Sequence, residues 1–114
     1  MIEEIERARH AEERGLIIRI LKEDFTAELT TVRTLLRALD AQGQALSPEG
    51  LAFHLVYLER QGYLALTRAR NLPDFRADRW SSGTKANSII GAKLLPLGLH
   101  LLDGKAPVDP SVTF

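Results

Sequence analysis

Three histidines are the side chains of this chain best suited to bind a metal or to transfer protons near neutral pH. They are His10, His54 and His100. They fall on three different predicted helices, and no two of them have the spacing that places a ligand pair on one helix face. We therefore expect each histidine to be structural or solvated, and we expect neither a metal nor another cofactor.

Two pairs of acidic residues, Glu3-Glu4 and Glu12-Glu13, are the other candidates for acid–base chemistry. Adjacent carboxylates in a polar helical segment are typical of a solvated face. The sequence contains no Ser/His/Asp set and no glycine-rich phosphate loop at a recognisable spacing. It also contains no cysteine, which excludes disulfides and thiolate metal sites. The sequence therefore predicts a protein that is not an enzyme.

Positive charge is concentrated in one part of the chain. Residues 1–28 hold eight acidic and five basic side chains, and residues 29–66 hold three of each. Residues 67–93, by contrast, hold six basic and two acidic side chains. A basic cluster is the electrostatic feature that binds nucleic acids, although a solvated charged loop has the same composition. The candidate DNA-binding residues in this segment are Arg68, Arg70, Arg76, Arg79 and Lys85.

Length and composition indicate one soluble globular domain. The chain has 114 residues, of which 45% are hydrophobic and 26% are charged, with a formal net charge of zero. Its apolar runs are too short to cross a bilayer, and its acidic N-terminus lacks the apolar core of a signal peptide. We expect a cytoplasmic protein without membrane contact, and the neutral charge argues against tight non-specific binding of DNA.

The first two helices are predicted from composition and apolar spacing. Residues 2–24 favour a helix whose first half is polar and whose second half carries an apolar stripe, with Gly15 between the halves. The second helix begins after a cap at Thr30 or Thr31. It ends before Gly43, which we expect in the left-handed conformation.

The third helix has the clearest boundaries in the sequence. Ser47 is its expected cap and Pro48 its first helical residue, and Gly62 follows its end. Leucines at the spacing of one buried stripe place one face of this helix in the core. They are Leu51, Leu55 and Leu58.

Two strands and a short helix complete the prediction. Residues 64–68 and 88–94 are predicted strands, and a long polar loop separates them. Alternate positions place Leu64 and Leu66 on one face of the first strand and Ile90, Ala92 and Leu94 on one face of the second. Pro96 opens a last helix, with Leu97, Leu101 and Leu102 expected to face inward, and Gly104 closes it. The tail, residues 105–114, contains two prolines and is expected to be extended.

The order of these elements resembles that of the winged-helix family. Residues 47–64 look like a recognition helix followed by the entry to a wing, and residues 92–104 resemble the end of the wing and the final helix in MarR-like and PadR-like proteins. Leu95 stands where that pattern often has a threonine cap. The chain is also similar to small winged-helix proteins of Mu-like bacteriophages.

This resemblance implies an α+β fold, a winged helix-turn-helix with a three-helix core, a two-stranded wing and a short C-terminal helix. It divides the chain into a leading helical extension at residues 1–14, the winged-helix domain at residues 15–104 and the extended tail. In DNA-binding members of the family, the exposed face of the third helix enters the major groove.

The third-helix surface of this chain is poorly suited to that role. Base readout requires donors and acceptors, yet the outward positions are mostly apolar. Those positions are Pro48, Glu49, Ala52, Phe53, Val56 and Tyr57. If residues 1–14 cover Phe53 and Val56, the third helix is not free to contact DNA.

Two hypotheses about function follow. The first is a dimeric DNA-binding or transcription-regulating module that contacts double-stranded DNA mainly through its basic wing. The second is a winged-helix module for protein interaction or assembly that does not recognise DNA. In the second case the third helix or the leading helix would bind a protein partner or another copy of the chain.

Overall fold

A computed structural model describes residues 2–24, 27–69 and 88–114 of the chain. The described residues form four helices and three strands. In chain order these are α1 (Ile2–Glu23), β1 (Thr30–Thr31), α2 (Val32–Ala41), α3 (Pro48–Arg60), β2 (Leu64–Arg68), β3 (Ile89–Leu94) and α4 (Pro96–Leu102). Within these residues, no helix combines the length and the apolarity needed to cross a membrane.

The strands form one antiparallel sheet in the order β1-β3-β2. Strands β2 and β3 are the predicted pair, and Leu64 lies opposite Leu94. Ala92 and Leu94 are buried as predicted, but Ile90 is 44% exposed, so its predicted place on the same face is wrong. Strand β1 was not predicted, because two residues are too short to produce an alternating pattern. It lies close to β3 at Gly91, where a Cβ atom would come within 2.5 Å of the Thr30 carbonyl oxygen.

Helices α2 and α3 begin and end where their capping residues predict. The Thr31 hydroxyl accepts a hydrogen bond from the Thr34 amide, and the Ser47 hydroxyl accepts one from the Gly50 amide. Gly43 and Gly62 follow the two helices with φ angles of 80° and 84°, a left-handed backbone conformation that residues with a Cβ atom rarely adopt. These local predictions are confirmed.

Helix α1 runs without a break through Gly15. Its first eight residues, 2–9, are all exposed, whereas most residues from Ala11 to Leu21 are buried. The buried part packs against α2, α3, β3 and α4. The change from solvent to core therefore falls near His10, earlier in the helix than the predicted boundary after Arg14.

The C-terminal tail packs against α1. Val112 is buried, and the Thr113 amide donates a hydrogen bond of 2.9 Å to the Ala11 carbonyl. Gly15 explains the close approach, because a Cβ atom at this position would collide with the Thr113 carbonyl oxygen. Glycine is thus required in the middle of α1 to make room for the tail.

Helix α4 presents a different face to the core than predicted. Leu101 is buried as expected, but Leu97 is 42% exposed, so its predicted inward orientation is wrong. Gly98 lies against the sheet instead, where a Cβ atom would collide with the Tyr63 carbonyl oxygen. Because Gly98 has no side chain, α4 can approach the start of β2 closely, and in this orientation Leu97 faces solvent.

The molecule is therefore an α+β protein with a small antiparallel sheet. Its helices α1, α2 and α3 share one hydrophobic core with the sheet, and this arrangement is compatible with the predicted class of fold. The core contains fully buried side chains from all three helices, namely Ile17, Ile18, Leu21, Leu35, Leu39, Leu51, Leu55 and Leu58.

Candidate functional site

A buried polar cluster joins α1 to α3. The Arg14 Nε atom donates a hydrogen bond of 3.1 Å to Nδ1 of His54, and Nε2 of His54 lies 2.9 Å from a Glu13 carboxylate oxygen. An arginine nitrogen can only donate, so Nδ1 must be the acceptor and Nε2 must carry the proton that goes to Glu13. We call these three residues the junction.

Burial controls the charges of the junction. It lowers the pKa of His54, and the nearby Arg14 cation lowers it further, while the hydrogen bond to Glu13 acts in the opposite direction. His54 is therefore neutral at neutral pH, and the positive charge of Arg14 lies beside the carboxylate of Glu13. Burial also lowers the pKa of Arg14, against the attraction of Tyr57, Asp109 and Glu13.

His10 lies next to the junction and completes a set of metal-binding side chains. Ligand atoms of His10, Glu13 and His54 lie within 4.8 Å of one another. Sequence reasoning missed this set, because His54 is distant in sequence and only His10 and Glu13 share a face of α1. The set borders a cavity of about 330 Å³ that the turn before α3 also lines.

The hydrogen bonds of the junction argue against a metal there. A cation on Nε2 of His54 would displace its proton to Nδ1, which would then face the N–H group of Arg14 as a second donor. The guanidinium would also repel the added charge. We therefore interpret the junction as a structural connection between α1 and α3.

Arg14 also contacts the aromatic side chains of α3. Its guanidinium carbon lies 4.0 Å from the centre of the Tyr57 ring and 5.5 Å from that of Phe53. The rings of His10 and Phe53 have centroids 5.6 Å apart. Helix α1 thus covers one side of α3 with a cation and an aromatic ring.

The C-terminal tail also contacts α3 and the junction. The Asp109 carboxylate accepts a hydrogen bond of 2.8 Å from the Tyr63 hydroxyl and one of 3.4 Å from the Tyr57 hydroxyl. Burial and this acceptor raise the pKa of Tyr63 to about 12. The Ser111 carbonyl accepts from Arg14 at 3.3 Å, so the tail is tied to both the junction and α3.

A continuous stripe of side chains runs along one face of α3, and we call it the α3 seam. Its members are spaced as one face of a helix and line a shallow cavity of about 350 Å³. Phe53 is 56% exposed, and charged residues of opposite sign lie at the two ends. The seam consists of Glu49, Ala52, Phe53, Val56, Tyr57 and Arg60.

The predicted third-helix surface is corrected at two positions. Pro48, Glu49 and Phe53 are exposed and Tyr57 is half-buried, but Ala52 and Val56 are buried at 5% and 9% exposure. These two small side chains form the floor of the seam. Residues His10 and Arg14 touch Phe53 without covering it, so the seam stays open to another molecule.

Only one of the predicted DNA-binding residues lies in the described part of the chain. Arg68, at the end of β2, donates two hydrogen bonds of 2.8 and 2.9 Å to the Glu59 carboxylate. This pairing raises the pKa of Arg68 and lowers that of Glu59, so both stay charged and engaged with each other. The others fall outside the described residues, namely Arg70, Arg76, Arg79 and Lys85.

The described residues are slightly acidic as a group. They carry thirteen acidic and eleven basic side chains, so the excess of positive charge belongs to residues 70–87. The described residues as a group therefore provide no net positive charge to attract phosphate.

Comparison of the chain with protein-family models, with curated proteins and with solved structures finds no match. The α3 seam is accordingly the feature of the chain from which a function can be inferred.

Proposed function

We propose that the chain is a winged-helix module that binds a protein through the α3 seam. The observation that supports this most directly is the seam itself, a helix face with a buried floor of Ala52 and Val56 and an exposed aromatic wall at Phe53. Exposed aromatic side chains over a small-residue floor are typical of protein contacts. The observed order of elements is compatible with the winged-helix resemblance.

The chemistry of the seam disfavours base readout by α3. Donors to bases and phosphates are needed along the middle of a recognition helix, where this chain has alanine, phenylalanine and valine. The polar group of Tyr57 is directed to Asp109, and Glu49 at the start of the helix repels phosphate. A protein surface, in contrast, matches an apolar stripe with one charge at each end.

Site-specific photo-crosslinking tests the proposal. Replacing Phe53 by p-benzoylphenylalanine keeps the aromatic ring, and the exposed Arg37 on α2 is a control position away from the seam. We expect adducts with protein after irradiation in cells when the probe is at position 53 and none when it is at position 37. Adducts with DNA at position 53, or no adducts, would contradict the proposal.

A second candidate function is DNA binding and transcription regulation through the basic segment. The observation that favours it is the charge of residues 70–87, which hold four basic and two acidic side chains. A salt titration decides it, because affinity that depends on phosphate contacts falls as salt rises. Binding of mixed duplex DNA at low salt, weakened by alanine at Arg70, Arg76 and Arg79, would support this candidate, and no binding at low salt would exclude it.

A further inference from the structure

The first eight residues of α1 form a helical segment that the other described residues leave exposed. We call residues 2–9 the leading arm. All eight are exposed, and the two isoleucines, Ile2 and Ile5, are 74% and 67% exposed. Large apolar side chains exposed on an ordered helix favour contact with another apolar surface.

Building on the proposed function, we propose that the α3 seam binds the leading arm of a second copy of this chain. The two copies would pair around a two-fold axis, and each would place its arm on the seam of the other. A chain cannot fill its own seam in this way, because α1 continues straight from the arm into the core and its His10 already lies beside Phe53.

The spacing of side chains on the two helices is complementary when the helices run antiparallel. Along the arm, Ile2, Ile5 and Arg9 are separated by three and then four residues, so they lie on one face. Along the seam, Glu49, Phe53 and Val56 are separated by four and then three residues. Reversing one helix therefore places Arg9 beside Glu49, Ile5 beside Phe53 and Ile2 beside Val56.

The parallel arrangement lacks this match. If Ile2 lay beside Phe53 in a parallel pair, Arg9 would lie beside Arg60, and like charges would repel. If Ile2 lay beside Glu49, Arg9 would lie against the buried Val56 and its charge would lose its solvation. The antiparallel pair also aligns the two helix dipoles favourably. Charge and spacing therefore select one orientation.

A charge-swap experiment tests the pairing in the full-length chain by sedimentation equilibrium over a range of protein concentrations. Arg9 and Glu49 are both exposed, so changing them does not disturb the core. We expect the wild-type chain to dimerise, and we expect Arg9→Glu and Glu49→Arg each to raise the dissociation constant about tenfold, since every dimer contains the pair twice. The double variant, in which the charges are exchanged, should restore dimerisation.

Arg7→Glu is the matched control, because Arg7 lies on the opposite side of the arm and undergoes the same change of charge. It should leave the dissociation constant unchanged. A wild-type chain that stays monomeric, or a dimer that Arg9→Glu and Arg7→Glu affect equally, would overturn the inference. If Phe53→Gln abolished association while Arg9→Glu did not, the seam would still bind protein, but its occupant would not be the arm.

Discussion

The junction, which joins α1 to α3, and the α3 seam lie next to each other, but their side chains are in opposite states. In the junction, charged side chains are buried, and within the described residues every buried side-chain polar atom has a hydrogen-bond partner. In the seam and the leading arm, apolar side chains are exposed, with Phe53, Ile2 and Ile5 each more than half in solvent.

This difference separates structural residues from candidate interaction residues. Buried ionic groups that satisfy one another fix the position of α1 on α3 and leave little to offer a ligand. Exposed apolar groups on well-formed helices gain free energy only when another surface covers them. The junction is thus a structural connection, and the α3 seam is the candidate site of action.

The largest expected effect is the loss of the Glu13 carboxylate. Glu13→Ala leaves Arg14 as a buried cation without its neighbouring anion and leaves the His54 Nε2–H group without an acceptor. Removing the charged acceptor of this buried N–H group, together with an anion near a buried cation, costs about 3 kcal/mol of unfolding free energy. Urea denaturation measures this loss. Glu12→Ala, at the exposed adjacent position, is the control, and equal effects of the two substitutions would refute the structural role of the junction.

The next largest effect is expected from Gly15→Ala, which should lower the unfolding free energy of the full chain but raise that of a chain without the tail. In the full chain, Gly15→Ala forces the tail away from α1 and exposes Val112, with an expected loss of about 2 kcal/mol. In a chain that ends at Pro107 the tail is absent, and alanine should stabilise the helix by up to about 1 kcal/mol. Thermal unfolding of the full and the shortened chain, each with glycine or alanine at position 15, tests this. A loss of similar size in both backgrounds would show that the tail is not the cause.

A smaller effect is expected from pH through His54. Its pKa in the folded chain is lowered from the ordinary 6.5, so below pH 6.5 the unfolded chain binds a proton that the folded chain does not. The unfolding free energy should therefore fall as pH decreases below 6.5, by at most about 1.4 kcal/mol per pH unit, and should not depend on His54 above it. His54→Gln should flatten the profile between pH 5 and 6.5, about the range in which only histidines titrate. An unchanged slope would argue that His54 is not neutral in the folded chain.

The smallest expected effect concerns the hydroxyl of Tyr63. Burial and Asp109 are the main causes that raise its pKa to about 12, so a Tyr57→Phe chain, in which Tyr63 is the remaining tyrosine, should still show a pKa above the ordinary 10 in an ultraviolet titration. Asp109→Asn removes the nearby negative charge and should lower this pKa, while Tyr63→Phe should cost about 1 kcal/mol of stability. A pKa that Asp109→Asn leaves unchanged would show that the tail does not contact Tyr63 in solution.

Local signals in the sequence predicted much of the fold. Ser47 and Pro48 at the start of α3, and Gly43 and Gly62 after two helices, act on the backbone beside them, so their effect can be inferred from neighbouring residues alone. Strand β1 escaped prediction because it has two residues and depends on Gly91, far along the chain.

The junction could not be predicted, because its contacts join residues that are distant in sequence. Arg14 and His54 are forty residues apart, and Arg14 contacts the carbonyl of Ser111 from the tail. A polar residue inside an apolar helix, such as His54 between Leu51 and Leu55, was the signal available, but it does not identify its partner. In the sequence, Gly15 only marked the division between the two halves of the first helix, whereas in the structure it makes room for the tail.

The central claim, that the α3 seam binds protein and not DNA, is tested most directly by the backbone amide signals of α3 in two-dimensional NMR spectra. The spectra would be recorded with increasing protein concentration and, separately, with duplex DNA added at low salt. We predict that the signals of Phe53 and Val56 shift as the protein concentration rises and stay in place when DNA is added. Signals that shift with DNA and ignore the protein concentration would contradict the claim.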